Sequence, residues 1–174
     1  MSYFRRPGKN EFAGFYTNYI QSVPEGDLIE IMRDNMEKSL ELLWSISEEK
    51  SQFRYAENKW SVRELLGHVI DAERVFSYRA LRISRNDQTN LSGFDENVYI
   101  GNSNYHNRNM SSIISEYEHL RKSNIIMFSG LNEDMWEFLG SANNANVSVR
   151  ALGCILIGHE NHHIKILKER YLVD

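Results

Sequence analysis

The stretch GHENHHIKILKERYL, residues 158–172, sets His159, Glu160, His162 and His163 almost side by side. His159 and His163 stand four residues apart, so on a helix they share a face, one above the other. Two chemistries use such a pair. In the first, H-E-x-x-H, both histidines hold zinc and Glu160 is the base that takes a proton from bound water. In the second, the pair is one half of a three-histidine site completed from elsewhere in the chain. The short H-E-x-x-H pattern arises easily by chance in a histidine-rich helix. Glu169 lies further along the same helix and cannot wrap back onto the ion, so the third ligand has to come from upstream. His68 is the natural candidate.

The neighbours of these residues favour the second chemistry. His159 and His163 lie on the stripe that carries Leu152, Ile155, Leu156 and Ile166, and His68 lies on the stripe of Leu65, Ala72 and Phe76. One histidine on an apolar stripe reads as a core residue with a hydrogen-bond partner. Three on two stripes leave several imidazole nitrogens to satisfy together, and unsatisfied buried polar groups are costly. A divalent ion satisfies one nitrogen on each ring, and neutral imidazole suits zinc, nickel or copper. The expected metal ligands are therefore His68, His159 and His163.

Glu160 is rotated by about 100° from His159 and reads as a solvated helix position at the edge of the site. With Asp71, three residues after His68, it is a candidate for proton transfer. Asp71 or Glu73 would otherwise orient a ligand imidazole through its second nitrogen, or pair with Arg74 or Arg79. His162, turned about 100° from His163, flanks the pair. His106 and His119 read as surface or structural residues. Cys154, the only cysteine, reads as a small buried hydrophobe. No side chain offers itself as a nucleophile, so a reaction at this site needs an external thiol or water.

Four long helices have to position these residues. Helical spacing of Leu28, Ile31, Met32, Leu40, Leu43 and Trp44 predicts the first over 27–50. The second, 61–84, opens on a capping box of Ser61 and Glu64. The third covers 111–131 with Ile114, Tyr117, Leu120 and Ile125 on its apolar positions, and 132–138 adds a short turn. The fourth covers 148–171. No segment alternates with period two, so strands are not expected. Residues 86–109 form a long polar crossover loop between the second and third helices. Its GFDENVY segment, 93–99, mixes aromatics and carboxylates and is a candidate lid or substrate contact. The helices carrying the histidines both open on Ser-Val-Arg, at 61–63 and 148–150. His68 follows its serine by seven residues, and His159 and His163 follow theirs by eleven and fifteen. These offsets differ by about one and two helical turns, which places the rings on similar faces.

A chain of 174 residues, 41% hydrophobic and 25% charged, suits a single soluble domain spanning 1–174. Acidic residues outnumber basic ones by 24 to 20, which argues against a nucleic-acid partner. There is no run of about 18 apolar residues, and the opening MSYFRRPGKNEF lacks the apolar centre of a secretory signal, so no membrane association is expected. One cysteine allows neither an intrachain disulfide nor a thiolate-rich zinc site. A cytoplasmic location is the expectation.

The stretch NKWSVRELLGHVIDAERVFSYRALR (58–82), together with GHENHHIKILKERYL, VPEGDL (23–28) and GFDENVY, resembles the DinB/YfiT-like superfamily over nearly the whole chain. The resemblance implies an all-α, DinB-like four-helix bundle, commonly a homodimer. It also implies a three-histidine metal site whose ligands carry over onto His68, His159 and His163. The metal in such proteins is zinc, nickel or another divalent ion. Some members are named metal-dependent hydrolases; others are thiol transferases that attach bacillithiol, mycothiol or glutathione to electrophiles. For this chain the resemblance implies a metal-dependent enzyme acting on a small-molecule substrate through water or a low-molecular-weight thiol such as bacillithiol. The alternative is a non-catalytic metal-binding bundle that serves as a sensor or interaction module.

Overall fold

Capping side chains set where most of the helices begin. The computed structural model describes residues 5–173; the first four residues of the stretch inspected for a secretory signal, and Asp174, lie outside the described residues. A short helix α1 (Thr17–Ser22) precedes α2 (Leu28–Trp44). Asp27 Oδ1 accepts the amides of Ile29 at 2.9 Å and Glu30 at 3.3 Å, which satisfies donors that have no partner inside the helix. The α3 helix (Val62–Ser84) starts on the expected capping box. Ser61 Oγ accepts from the Glu64 amide at 3.3 Å, and Glu64 Oε2 accepts from the Ser61 amide at 2.7 Å. Asp95 caps α4 (Glu96–Gly101) inside the crossover loop. Then come α5 (Met110–Ser129) and α6 (Glu133–Glu137), and finally α7 (Val149–Ile166), where Ser148 Oγ accepts the Ala151 amide at 3.1 Å. The chain continues from α7 into a π-helical turn, Leu167–Tyr171.

The long helices α2, α3, α5 and α7 form the bundle, and their packing order differs from their chain order. Both α2 and α3 pack against α5 and α7. Helices that succeed one another in the chain, α2 and α3, therefore sit across a diagonal, and so do α5 and α7. All residues from Ser61 to Ile70 and from Ser148 to Glu160 are buried, so over these spans α3 and α7 are covered on every side. Fully buried Met32, Ile70, Ile83, Ile113 and Ile155 lie in this core. Each contributes about 1.5–3 kcal/mol before the entropic cost of ordering it. No helix among the described residues is long and apolar enough to cross a membrane.

Three expectations change. First, α2 ends at Trp44 rather than near residue 50, and Trp44 is 54% exposed, off the core stripe of Leu28, Met32, Met36, Ser39 and Leu43. Second, a hairpin of β1 (Leu139–Ala142) and β2 (Ala145–Ser148) is present, with Leu139 opposite Ser148 and Ala142 opposite Ala145. Asn143 and Asn144 at φ 50° and 60° make its two-residue turn, where both positions need left-handed backbone and asparagine tolerates it. Third, the 86–109 segment is built rather than loose. Leu91 bridges to Ala142 of the hairpin, and Tyr105 is buried against α3.

Candidate metal centre

His68 projects from α3 and His159 and His163 from α7, the two helices with the most extensive mutual packing. Their Nε2 atoms converge. That of His68 lies 3.0 Å from His159 and 3.2 Å from His163. A ring nitrogen from each of the three lies within 4.8 Å of the others. Aromatic side chains wall the cluster. The Trp60 ring, just before the α3 cap, sits 4.8 Å from the His68 ring at 38°. Tyr19 of α1 and Phe76 of α3 meet the His159 ring edge-on, each at 5.6 Å. Gly158 makes the Tyr19 contact possible: a Cβ there would fall 2.2 Å from the Tyr19 carbonyl oxygen.

Burial keeps all three rings neutral, the form that ligates a metal. Desolvation pushes His68 down to about 4, against the opposing pull of the Glu96 carboxylate. It pushes His163 down to about 3, with His68 and His162 adding to the fall. His159 lies well below its usual value for the same reason, helped by His163 and His68. The spacing fits a shared ion: two nitrogens each about 2.0–2.1 Å from zinc at a tetrahedral angle stand roughly 3.3–3.4 Å apart. With Nε2 turned to the centre, Nδ1 carries the proton. Nδ1 of His163 is buried and has no hydrogen-bond partner among the described residues.

The other candidates separate clearly. Glu160 is not at a solvated position; it is 1% exposed and belongs to a charge network in the bundle core. Its Oε1 accepts hydrogen bonds from Ser39 Oγ at 2.6 Å and from the Tyr117 hydroxyl. Its Oε2 lies 2.7 Å from Arg121 Nη1, a charge contact whose angles fall short of a hydrogen bond. Arg121 also donates from Nε and Nη2 to the two carboxylate oxygens of Glu73, each at 2.8 Å. Glu73 thus pairs across the core rather than with Arg74 or Arg79. Asp71 is half-buried, accepts from the Tyr105 hydroxyl at 2.9 Å and lies 3.7 Å from Arg74. None of these contacts reaches a histidine. His162 is exposed and packs its ring 5.0 Å from His163. His106 and His119 are exposed, away from the cluster. The Cys154 thiol is buried, and desolvation pushes its pKa up to about 12, which makes it inert.

Beside His163 opens a cleft of about 230 Å³, lined by Trp60, Tyr55, Tyr171 and Ile166 with Lys59 and Asn97. Asn97 comes from the first turn of α4, so the crossover loop contributes one wall.

The sequence matches the DinB superfamily over residues 28–167, most of the chain and all three histidines. The chain belongs to the DinB superfamily. Among solved structures it is similar to YfiT from Bacillus subtilis, described as a probable metal-dependent hydrolase with an unusual four-helix bundle topology. That match has a TM-score of 0.70 at 13% identity and covers 95% of this chain and 90% of that one. Agreement at this level speaks for the fold, and the diagonal order of α2 and α3 is a departure from simple up-and-down bundles. No curated protein matches the sequence.

Several residues around this DinB-superfamily site were not singled out from the sequence. Tyr19 lies in a short helix with no strong periodicity, and its link to His159 runs through a close approach to Gly158. Tyr55 and Tyr171 reach the cavity from either side of the bundle end and touch each other edge-on at 4.9 Å. The one local signal was Gly158 itself, a glycine inside an apolar helix, which marks close backbone contact.

Proposed function

We propose that this protein is a metal-dependent enzyme in which His68, His159 and His163 hold one divalent ion, zinc or nickel. The reaction is transfer of a low-molecular-weight thiol such as bacillithiol to an electrophile, with water replacing the thiol if the reaction is hydrolytic. The convergence of the three Nε2 atoms carries this reading. A dication in such a site lowers the pKa of a bound thiol or water and presents the anion as nucleophile. The protein's part is preparatory. Three neutral ligands would leave a bound ion its full charge and room for a thiol or water. Trp60 against His68, and Tyr19 and Phe76 against His159, shield two of the three rings. Of the two carboxylates expected to move protons, Glu160 is held inside the core network. Asp71, three residues from His68 and half-buried against Tyr105, is the remaining candidate. Family membership supports a homodimer, and the single cysteine fits a reducing cytoplasm; sedimentation and fractionation test these.

Elemental analysis of tag-free protein is the direct test. The expected result is about one divalent ion per chain in the wild type, lost or much reduced in His68→Ala, His159→Ala and His163→Ala. Metal-loaded protein should then conjugate a thiol to a test electrophile or hydrolyse an aryl ester, and the metal-free protein should do neither. Stoichiometric metal without turnover of any thiol or ester would instead support a non-catalytic sensor or docking module.

A further inference from the structure

The cavity beside His163 has a composition that selects its occupant. Trp60, Tyr55 and Tyr171 present aromatic surface, and Leu65 and Ile166 complete the apolar wall. These walls are fixed before any ligand arrives. The Tyr171 hydroxyl donates to the Trp60 carbonyl at 2.8 Å, and Tyr55 meets Tyr171 at 89°. The rim carries a single formal charge, that of Lys59, and no carboxylate lines the space. Among the described residues the lysine ion pairs are those of Lys122 and Lys165, so Lys59 has no acidic partner. Its loop is held in place: Asn58 adopts φ 62°, the Lys59 amide donates to the Ala56 carbonyl at 3.2 Å, and the Lys59 carbonyl accepts from Arg54 at 2.6 Å. Asn58 and Asn97 add neutral amides. Apolar walls with a few convergent polar groups are the usual make-up of a small-molecule pocket.

We infer that this cavity seats the acceptor substrate, and that the acceptor is a planar aromatic compound bearing an anionic group, its ring between Tyr55, Trp60 and Ile166 and its charge at Lys59. This rests on the proposed metal site for the position of the reacting group, since His163 is one of the residues that line the cavity. Flat rings gain most against preorganised aromatic walls. Lys59 is the one charge in the lining; the Glu96 carboxylate, which acts on His68, and Glu64, paired with Arg54, lie outside it.

Three metal-chelating probes test this on the zinc-loaded, full-length protein by calorimetry: acetohydroxamate, benzohydroxamate and 4-carboxybenzohydroxamate. The ring should tighten binding by roughly tenfold or more. Tyr55→Ala or Ile166→Ala should remove most of that increment while acetohydroxamate binds as before. The carboxylate should add up to about fivefold, lost in Lys59→Met. If the ring adds nothing in the wild type, or its increment survives both wall variants, the pocket assignment is overturned while the metal site stands. If no hydroxamate binds because no metal is held, the metal reading fails. The pocket is then judged on the metal-free protein by quenching of tryptophan fluorescence with 2-naphthoate. Binding weakened in Tyr55→Ala and in Lys59→Met supports it, and absence of binding, or binding unchanged in both variants, overturns it.

Discussion

At the scale of single residues, the histidines tie ligand chemistry to stability. The His68 and His163 pKa values fall to about 4 and about 3 in the folded chain, and that of His159 lies well below its ordinary value. Unfolded, each takes up a proton near pH ~6.5. Between those values the unfolded chain binds more protons than the folded one. The stability of the metal-free protein is therefore whole above about pH 6.5 and declines as pH falls toward about 4. Melting temperatures of metal-free protein taken across this window should fall with acidification, and more shallowly in His163→Gln. A flat profile would mean that the rings are not held neutral by burial.

At the scale of elements, two glycines decide how closely neighbouring pieces approach the site. Gly67, next to His68, faces the Tyr105 ring, and a Cβ there would fall 2.3 Å from the ring. Gly158, next to His159, meets the backbone of α1, with the Tyr19 carbonyl carbon 2.5 Å from the built Cβ. In an open helix, glycine to alanine gains about 1 kcal/mol. At Gly158 backbone has to move, and at Gly67 the Tyr105 ring; overpacking of this kind costs about 1–3 kcal/mol. Gly158→Ala should lower the melting temperature and weaken metal binding, because α1 carries Tyr19 away from His159. Gly101→Ala, with nothing within 4 Å of its Cβ, is the control and should be neutral or slightly stabilising. Equal behaviour of the two variants would contradict the close-packing argument.

At the scale of the whole molecule, the core network joins all four bundle helices. Ser39 comes from α2, Glu73 from α3, Tyr117, Arg121 and Asn124 from α5, and Glu160 from α7. Arg121 is fully buried between two carboxylates. Removing it alone, as in Arg121→Met, leaves two uncompensated buried acids and should cost about 3–5 kcal/mol. Glu160→Gln keeps an acceptor for Ser39 and Tyr117 and should cost less. Urea denaturation with an unchanged slope reads both. A loss below about 1 kcal/mol for Arg121→Met would show that water reaches the network.

What could be read from the chain and what could not divides by distance. The Ser61 capping box and the Ser148 cap were legible because each needs only a few consecutive residues. The convergence of His68, His159 and His163 was legible because helical periodicity put them on two apolar stripes, and two stripes that bury polar rings need a common partner. Glu160 was misread for an equally physical reason. A residue about 100° off the stripe is solvated on a one-faced helix, but as far as Glu160 α7 is covered on all sides. Arg121 and Asn124 gave no local sign of a partner, because their partners Glu73 and Glu160 are remote in sequence and close only in the folded bundle. The diagonal order of the helices, the tyrosine-walled cavity and the approach of α1 to Gly158 likewise depend on which faces meet, a choice made by the packing of the whole core and not by any local spacing.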